Sequence, residues 1–344
     1  MPGFVLTGSM SASRDLRSAA LLADGRVLVA GGRDAQGSPL LTAEVYDPQL
    51  GQWTPTESLH QSHQYGLLVA VADGAAIIGG DEPGQDTVLE TWSLATEQWT
   101  KTIMPPFMSW VDGVWSEADH LLVLCTPEAL LDDMEFRAVD LSTGQVHKLP
   151  SPNTARHHSL NCHLSDGRIL LTAGVSYGVG GSGEPVEFVT RECEVYDPAA
   201  GRWEPVGDLT VPHMHTDRSG QSLVALADGG ALMVSGSGLG AEQSTEVVER
   251  WTSATRAWSI KKPLTESRDV HTTTLLPDGS VLVIGGEGPG GPRSDCYTYD
   301  LDTDSWSSAD SLTRPRTGHV ALTLTDGRVL VIDGAGDGSC ELYA

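Results

Sequence analysis

The strongest constraint on the fold is a turn and strand that keep returning. Asp24-Gly25-Arg26-Val27-Leu28-Val29-Ala30-Gly31-Gly32 is an aspartate-glycine turn feeding an apolar strand that stops on paired glycines. Asp166 to Leu171, Asp278 to Gly286 and Asp326 to Ile332 repeat it closely, and weaker copies follow Asp73-Gly74 and Asp228-Gly229. An Asp-Gly pair between apolar runs is a hairpin signal, so each copy predicts two antiparallel strands joined by a tight turn.

Five of these six copies are followed by a Glu-x-Tyr or Glu-x-Trp element (Glu44/Tyr46, Glu90/Trp92, Glu194/Tyr196, Glu249/Trp251, Glu341/Tyr343). A lone tryptophan usually comes next, at Trp53, Trp99, Trp203, Trp258 or Trp306. A unit of this content recurring about every 50 residues reads as one four-stranded propeller blade. Phe4 precedes Asp24 by twenty residues, the interval that separates Trp53 from Asp73, Trp258 from Asp278 and Trp306 from Asp326. Phe4 therefore stands in a tryptophan position, and residues 4 to about 10 form a fourth strand with no three strands before it. The last repeat ends at Tyr343 without a fourth strand. The two termini are expected to complete one blade and remove its free edges. The fold class expected is all-β, a seven-bladed propeller, with 1–344 as a single domain because each blade packs only on its neighbours.

Diglycine, Glu-x-Tyr and tryptophan together resemble the bacterial kelch family, seen also in the propeller of galactose oxidase, and the likeness covers essentially the whole chain. The resemblance implies ligands on the face opposite the Asp-Gly turns. That face carries the loops after the diglycines and the connections into each first strand. The copper-radical motif of some relatives is not matched. Those relatives carry Tyr directly before a ligand His, where this chain has Val270 before His271 and Gly318 before His319. Cys162 resembles the family's crosslinked cysteine in position, but the following blade offers His213 and His215 where a tyrosine is needed.

Charge narrows the partners. With 46 acidic residues against 21 lysines and arginines the net charge is −25, which repels phosphate backbones and anionic lipid. Neither nucleic acid nor a membrane is expected as a partner. Met1-Pro2-Gly3-Phe4 has neither the basic segment nor the apolar core of a signal peptide, so a cytoplasmic monomer is expected. Cys193, Cys296 and Cys340 share one position in separate blades, too far apart to bridge, and are expected to be reduced thiols.

Two regions depart from the repeat. Blade three, roughly 105 to 150, has Cys125-Thr126 for the diglycine and Val146 for the tryptophan. Between Asp166 and Asp228 the interval grows to 62 residues. Part of the excess is the glycine-rich stretch Val175 to Pro185, expected to be a mobile cover. The remainder is read as an insertion around Val211 to His215. The glycines lack the strand-to-helix context of a phosphate loop, so no nucleotide cofactor is expected.

Eight of the 11 histidines (His60, His63, His157, His158, His213, His215, His271, His319) lie on the connections into first strands, which converge on the mouth of a central channel. His213, His215, His158 and Asp217 are the expected catalytic group. His-x-His in extended chain places both imidazoles on one side, so His63, His158, His213, His215, His271 and His319 are the expected ligands of a divalent transition metal such as zinc, copper or iron. Arg17, His63, Trp110, Arg156, Tyr177, Arg218, Arg268 and Arg316 are the expected substrate contacts. The function expected is a histidine-dependent isomerase, cyclase or lyase, with or without metal, acting on a small molecule or short peptide. The alternative is a non-catalytic interaction propeller, in which Arg14, Arg17, Arg156, Arg268 and Arg316 present a basic ring to an acidic peptide.

Overall fold

A computed structural model describes residues 3–15, 18–80, 87–105, 110–126, 134–179, 185–213, 222–236 and 245–344. The described residues form strands and turns without a helix, so none of them makes a helix long and apolar enough to cross a membrane. They build seven four-stranded antiparallel sheets and two two-stranded hairpins.

The chain divides into two compact units. The first, Met1–Ala129 with Phe136–Leu149 and Gly318–Ala344, holds four blades. Blade one runs Ala20–Leu21, Val27–Ala30, Ala43–Asp47, Gln52–Thr56, and blade two Leu67–Val71, Gly74–Ile78, Val88–Ser93, Trp99–Ile103. Blade three is Trp110–Glu117, His120–Thr126, Glu135–Asp140, Val146–Leu149. Blade seven takes Val320–Thr323, Val329–Ile332 and Cys340–Tyr343 from the C-terminal repeat and Phe4–Leu6 as its fourth strand. Phe4 pairs with Tyr343 in the register that joins Tyr46 to Trp53. Its ring lies 4.9 Å from that of Tyr343, as Trp53 lies 5.1 Å from Tyr46. Phe4 thus does the work of a tryptophan, and the closure expected from spacing is present.

The second unit, Leu130–Glu135 with Pro150–Thr317, holds three blades. Blade four is Leu160–His163, Ile169–Thr172, Cys193–Asp197, Arg202–Val206, and blade five Leu223–Ala225, Ala231–Val234, Val248–Thr252, Ala257–Lys261. Blade six is Thr272–Leu275, Val281–Ile284, Cys296–Asp300, Ser305–Ala309. Blades four and six each add a small hairpin after the second strand.

The lone tryptophans bind blades together. Trp99 of blade two is buried with Ala43, Val45 and Leu59 of the preceding repeat, and its Nε1 donates to the Glu57 carbonyl at 3.0 Å. Trp258 of blade five packs on Val195 and Leu209, its Nε1 donating to Cys193 Sγ at 3.2 Å. An aromatic side chain buries 150–250 Å², a gross gain of roughly 4–6 kcal/mol at about 25 cal/mol per Å². Repetition of this wedge holds one sheet on the next.

The diglycines are required by close backbone approach. A Cβ on Gly80, at φ 70°, would lie 2.4 Å from the Gly66 nitrogen and 2.5 Å from the Tyr65 nitrogen. No side chain fits there, and L-residues rarely adopt that φ.

All five cysteines are free, and Cys193, Cys296 and Cys340 are buried in their separate blades. Burial pushes the Cys193 thiol up to about 11 and that of Cys296 to about 12. Since the thiolate is the reactive form, a thiol reagent at pH 8 is expected to leave these two unmodified in native protein and to label both on denaturation. Rapid native labelling, read by mass spectrometry of peptides, would show the blades open locally.

Candidate functional site

Ten residues after six of the seven tryptophan positions, counting Phe4 and Val146 among them, stands a basic side chain: Arg14, His63, Arg156, His213, Arg268 and Arg316; after Trp99 the residue is Ser109. All six are at most 2 % exposed. Burial of a cation demands a carboxylate, and the third strand of the same blade supplies it. Arg14 Nη2 lies 2.9 Å from Glu44 Oε1, His63 Nε2 3.4 Å from Glu90 Oε1, and Arg156 Nη2 3.3 Å from Glu194 Oε1. His213 Nε2 lies 3.7 Å from Glu249 Oε1, beyond hydrogen-bond length. In blade six Tyr297 stands in the glutamate position and Asp295 takes its charge, pairing with Arg268 at 2.8 Å. The Arg268 guanidinium also sits 5.1 Å over the Tyr297 ring.

The glutamates hold the incoming chain as well. Glu44 accepts the Ser11 N–H at 2.9 Å, and Glu90 accepts those of His60 and Gln61 at 2.8 and 2.9 Å. Glu194 accepts Asn153 and Thr154 at 2.7 and 3.0 Å, and Glu249 accepts Thr210 and Val211 at 2.9 and 3.2 Å. The second glycine position of the preceding blade then donates to the carbonyl of the basic residue. Gly32 reaches His63 at 3.3 Å, Gly174 reaches His213 at 3.0 Å and Gly236 reaches Arg268 at 3.1 Å. His63, His213 and Arg268 therefore tie two blades through their main chain and face the acid of their own blade with their side chains.

These environments shift the charges. Burial opposes ionisation of Glu90, yet the His63 ring and the backbone and ring donors of His60 outweigh it and hold the carboxyl at about 2. Glu249 is likewise held below the usual carboxylate range, burial being outweighed by His213 and the Thr210 donors. Burial lowers the Arg14 and Arg156 guanidiniums, against the pull of Glu44 and Glu194.

The placement corrects one expectation directly. His213 was expected inside an insertion free of repeat constraint, but it occupies the basic position at the normal distance from Trp203, and the added residues follow it. Counting forward from the tryptophan, instead of back from Asp228, is the signal that locates it. His63 and His213 sit at the same repeat position as Arg14, Arg156 and Arg268. Arg316, His271 and His319 are also buried. Arg17, His215, Asp217 and Arg218 lie outside the described residues. Trp110 begins the first strand of blade three and Tyr177 lies on the blade-four hairpin.

The stretch Val175 to Pro185 was expected to be a mobile cover; residues 180–184 lie outside the described residues, and the flanking segments form a β-ribbon, Val175–Val179 paired with Pro185–Val189. Val186 and Phe188 alternate along it and are exposed. The ribbon starts against the connection, where His157 and Val175 exchange hydrogen bonds of 2.9 and 2.8 Å. Ser176 Oγ adds a bond of 2.8 Å to the Ala155 carbonyl.

His157 and His158 are half-buried, their ring centroids 4.7 Å apart at 67°. His158 has φ 53°, a left-handed conformation that Val270 (52°) and Gly318 (63°) share at the same repeat position. His158 was among the expected catalytic and metal-binding residues, and His157 was named with it among the histidines on the connections. On the opposite, turn-bearing end of blade three, the ligand atoms of Asp119, His120 and Asp140 lie within 4.8 Å of one another. Asp140 there caps its own turn by accepting from Ser142 and Thr143.

Four-stranded antiparallel blades, repeated seven times and closed by the first strand, define a β-propeller. The sequence matches the kelch motif over residues 16–60, the stretch that contains blade one. With the same diglycine, glutamate and tryptophan positions recurring along the chain, this is a kelch-repeat β-propeller. A comparison with curated proteins finds no match.

Proposed function

We propose that the protein binds a small molecule or short peptide on the face formed by the connections into the first strands, in the sector of blade four. The observation that supports this reading is the contrast among histidines. His63, His213, His271 and His319 are each at most 1 % exposed, whereas His157 and His158 are half-buried and lie beside the projecting ribbon. Two adjacent imidazoles suit proton transfer, so isomerisation, cyclisation or elimination is the chemistry the site would serve. A divalent metal is the cofactor such a pair would take. The basic-ring reading draws no support from Arg14, Arg156 and Arg268, because their guanidiniums are engaged inside acid pairs.

The test is a thermal-shift screen of metabolites, short peptides and zinc, copper and iron salts, run in parallel on native protein and on a His157→Ala/His158→Gly variant. Glycine at 158 suits the left-handed backbone, so the variant should fold. A compound is expected to raise the native midpoint and to lose at least tenfold in affinity for the variant. Equal affinity of every hit for both proteins would overturn the proposal.

A further inference from the structure

The face with the Asp-Gly turns carries a second feature, visible when the repeats are compared. In blades one, four and seven the residue after Asp-Gly is an arginine whose guanidinium fills the groove toward the next blade. Arg26 Nε bonds Asp24 at 2.6 Å while Nη1 reaches Glu97 of blade two at 2.7 Å. Arg168 bonds Asp166 at 2.6 Å and Ser253 of blade five at 2.5 Å. Arg328 bonds Asp326 at 2.8 Å and the Pro48 carbonyl of blade one at 2.8 Å. In each case one guanidinium joins its own turn aspartate to the turn between the third and fourth strands of the next blade.

Blade five has Gly230 in that position. Blades two and six also lack the arginine, with Ala75 and Ser280 there, and the groove from blade five toward blade six is a cleft of about 330 Å³ with Leu226 and Leu275 along it, Asp228 and Arg250 on the blade-five side and Asp278, Asp300 and Asp302 on the blade-six side. Arg250, from the third strand of blade five, pairs with Asp228 and so satisfies the first half of the missing contact. The second half is unmet. Asp278 Oδ1 caps its turn through the Ser280 N–H and hydroxyl, and Asp300 Oδ1 caps its own through the N–H groups of Asp302 and Thr303. Among the described residues no basic side chain within ion-pair distance meets Asp278, Asp300 or Asp302. Asp300 lies near enough to Asp278 to oppose its charge.

We propose that the cleft between blades five and six binds the guanidinium group of an external ligand, seated where the repeat's own arginine would lie. The aliphatic stem would run over Leu226 and Leu275, and the planar fork would meet the outward oxygens of Asp278 and Asp300. A fork with several fixed donors suits two carboxylates better than a compact ammonium does. The volume is at the lower end of small-ligand pockets, about 300–1,000 Å³. The net charge of −25 attracts such a cation from solution.

Calorimetric titration of the full chain at low salt with butylguanidine, butylamine and an acetyl-Ala-Arg-Ala-amide peptide tests this. Butylguanidine is expected to bind saturably at one site, at least fivefold tighter than butylamine, and to lose at least tenfold in Asp278→Asn/Asp300→Asn. Asparagine keeps the Oδ1 turn caps, so the fold should persist. Gly230→Arg is expected to fill the groove and block binding. Its Cβ would lie 2.7 Å from the Trp251 carbonyl oxygen, so the paired asparagine variant decides the matter if this one does not fold. Tighter binding of the peptide than of butylguanidine would assign the site to a protein partner, and the reverse to a small molecule, both supporting it. Unchanged affinity in the asparagine variant, equal affinity for butylamine, or no saturable binding would overturn the proposal.

Discussion

Replacing Glu90 by alanine is expected to destabilise the first unit by about 3–4 kcal/mol and to remove most of its sensitivity to acid between pH 5 and 3. Glu90 is fully buried and receives the N–H groups of His60 and Gln61, the His60 ring at 2.8 Å and the His63 ring at 3.4 Å. Alanine removes this acceptor from the buried Gln61 and His63 as well as from the more exposed His60, and each buried group so orphaned costs about 1–3 kcal/mol. The pH argument gives the same size. The folded carboxyl is lowered from 4.5 to about 2, so the stability it lends is fully present above pH 4.5 and is lost as pH falls toward 2. At 1.36 kcal/mol per unit this is on the order of 3 kcal/mol. Urea unfolding at pH 7 and at pH 3.5 measures both quantities. A loss under about 1 kcal/mol, or an acid response identical to native protein, would mean the pair is solvated and contributes little.

The repeat was legible because its signals are local and its spacing is rigid. Asp-Gly turns, diglycines and tryptophans each act within a few residues of themselves, and Phe4 could be placed by counting alone. The role of the glutamates was not legible, since each partner lies far along the chain: Glu44 meets Arg14 and Glu249 meets His213 from another strand-to-strand connection. Arginine is usually exposed, so a set of arginines on connections reads as a basic surface. Only the fold reveals that Arg14, Arg156 and Arg268 turn inward. His213 was misplaced because an inserted segment can be aligned from either end. Counting back from Asp228 put the extra residues before it, and counting from Trp203 puts them after. For the blade-four ribbon, four glycines between Val175 and Pro185 outweighed the alternating Val186-Glu187-Phe188-Val189 that follows, which is a strand pattern. The missing arginine at Gly230 was visible in sequence, but its consequence appears only when the turn of the neighbouring blade is seen across the groove.

The largest effect is expected from removing residues 1–10, with a loss of at least about 5 kcal/mol in the unit that contains blade seven. The segment gives that blade its fourth strand, through Phe4 to Leu6 against Glu341 to Tyr343. It also supplies main-chain bonds from Thr7 to the Cys340 carbonyl at 3.0 Å, Gly8 to Gly51 at 2.9 Å and Met10 to Gly338 at 2.9 Å. Phe4 is 8 % exposed, and Met10, 5 % exposed, packs with Val320, Leu330, Ile332 and Leu342. Truncating a buried Phe costs about 3–5 kcal/mol and a buried Met about 2–5, before the strand's hydrogen bonds are considered. Against a typical domain stability of 5–15 kcal/mol this approaches unfolding. The strand Cys340–Tyr343 would also be left as an open edge, which invites pairing between molecules. The shortened chain should therefore show a thermal midpoint lowered by ten degrees or more, in the range of roughly 2–4 °C per kcal/mol for a unit of this size, and concentration-dependent aggregation. Phe4→Ala alone should show a smaller shift without the exposed edge. A midpoint within two degrees of native protein, with no aggregation, would mean that the N-terminal strand does not support blade seven in solution.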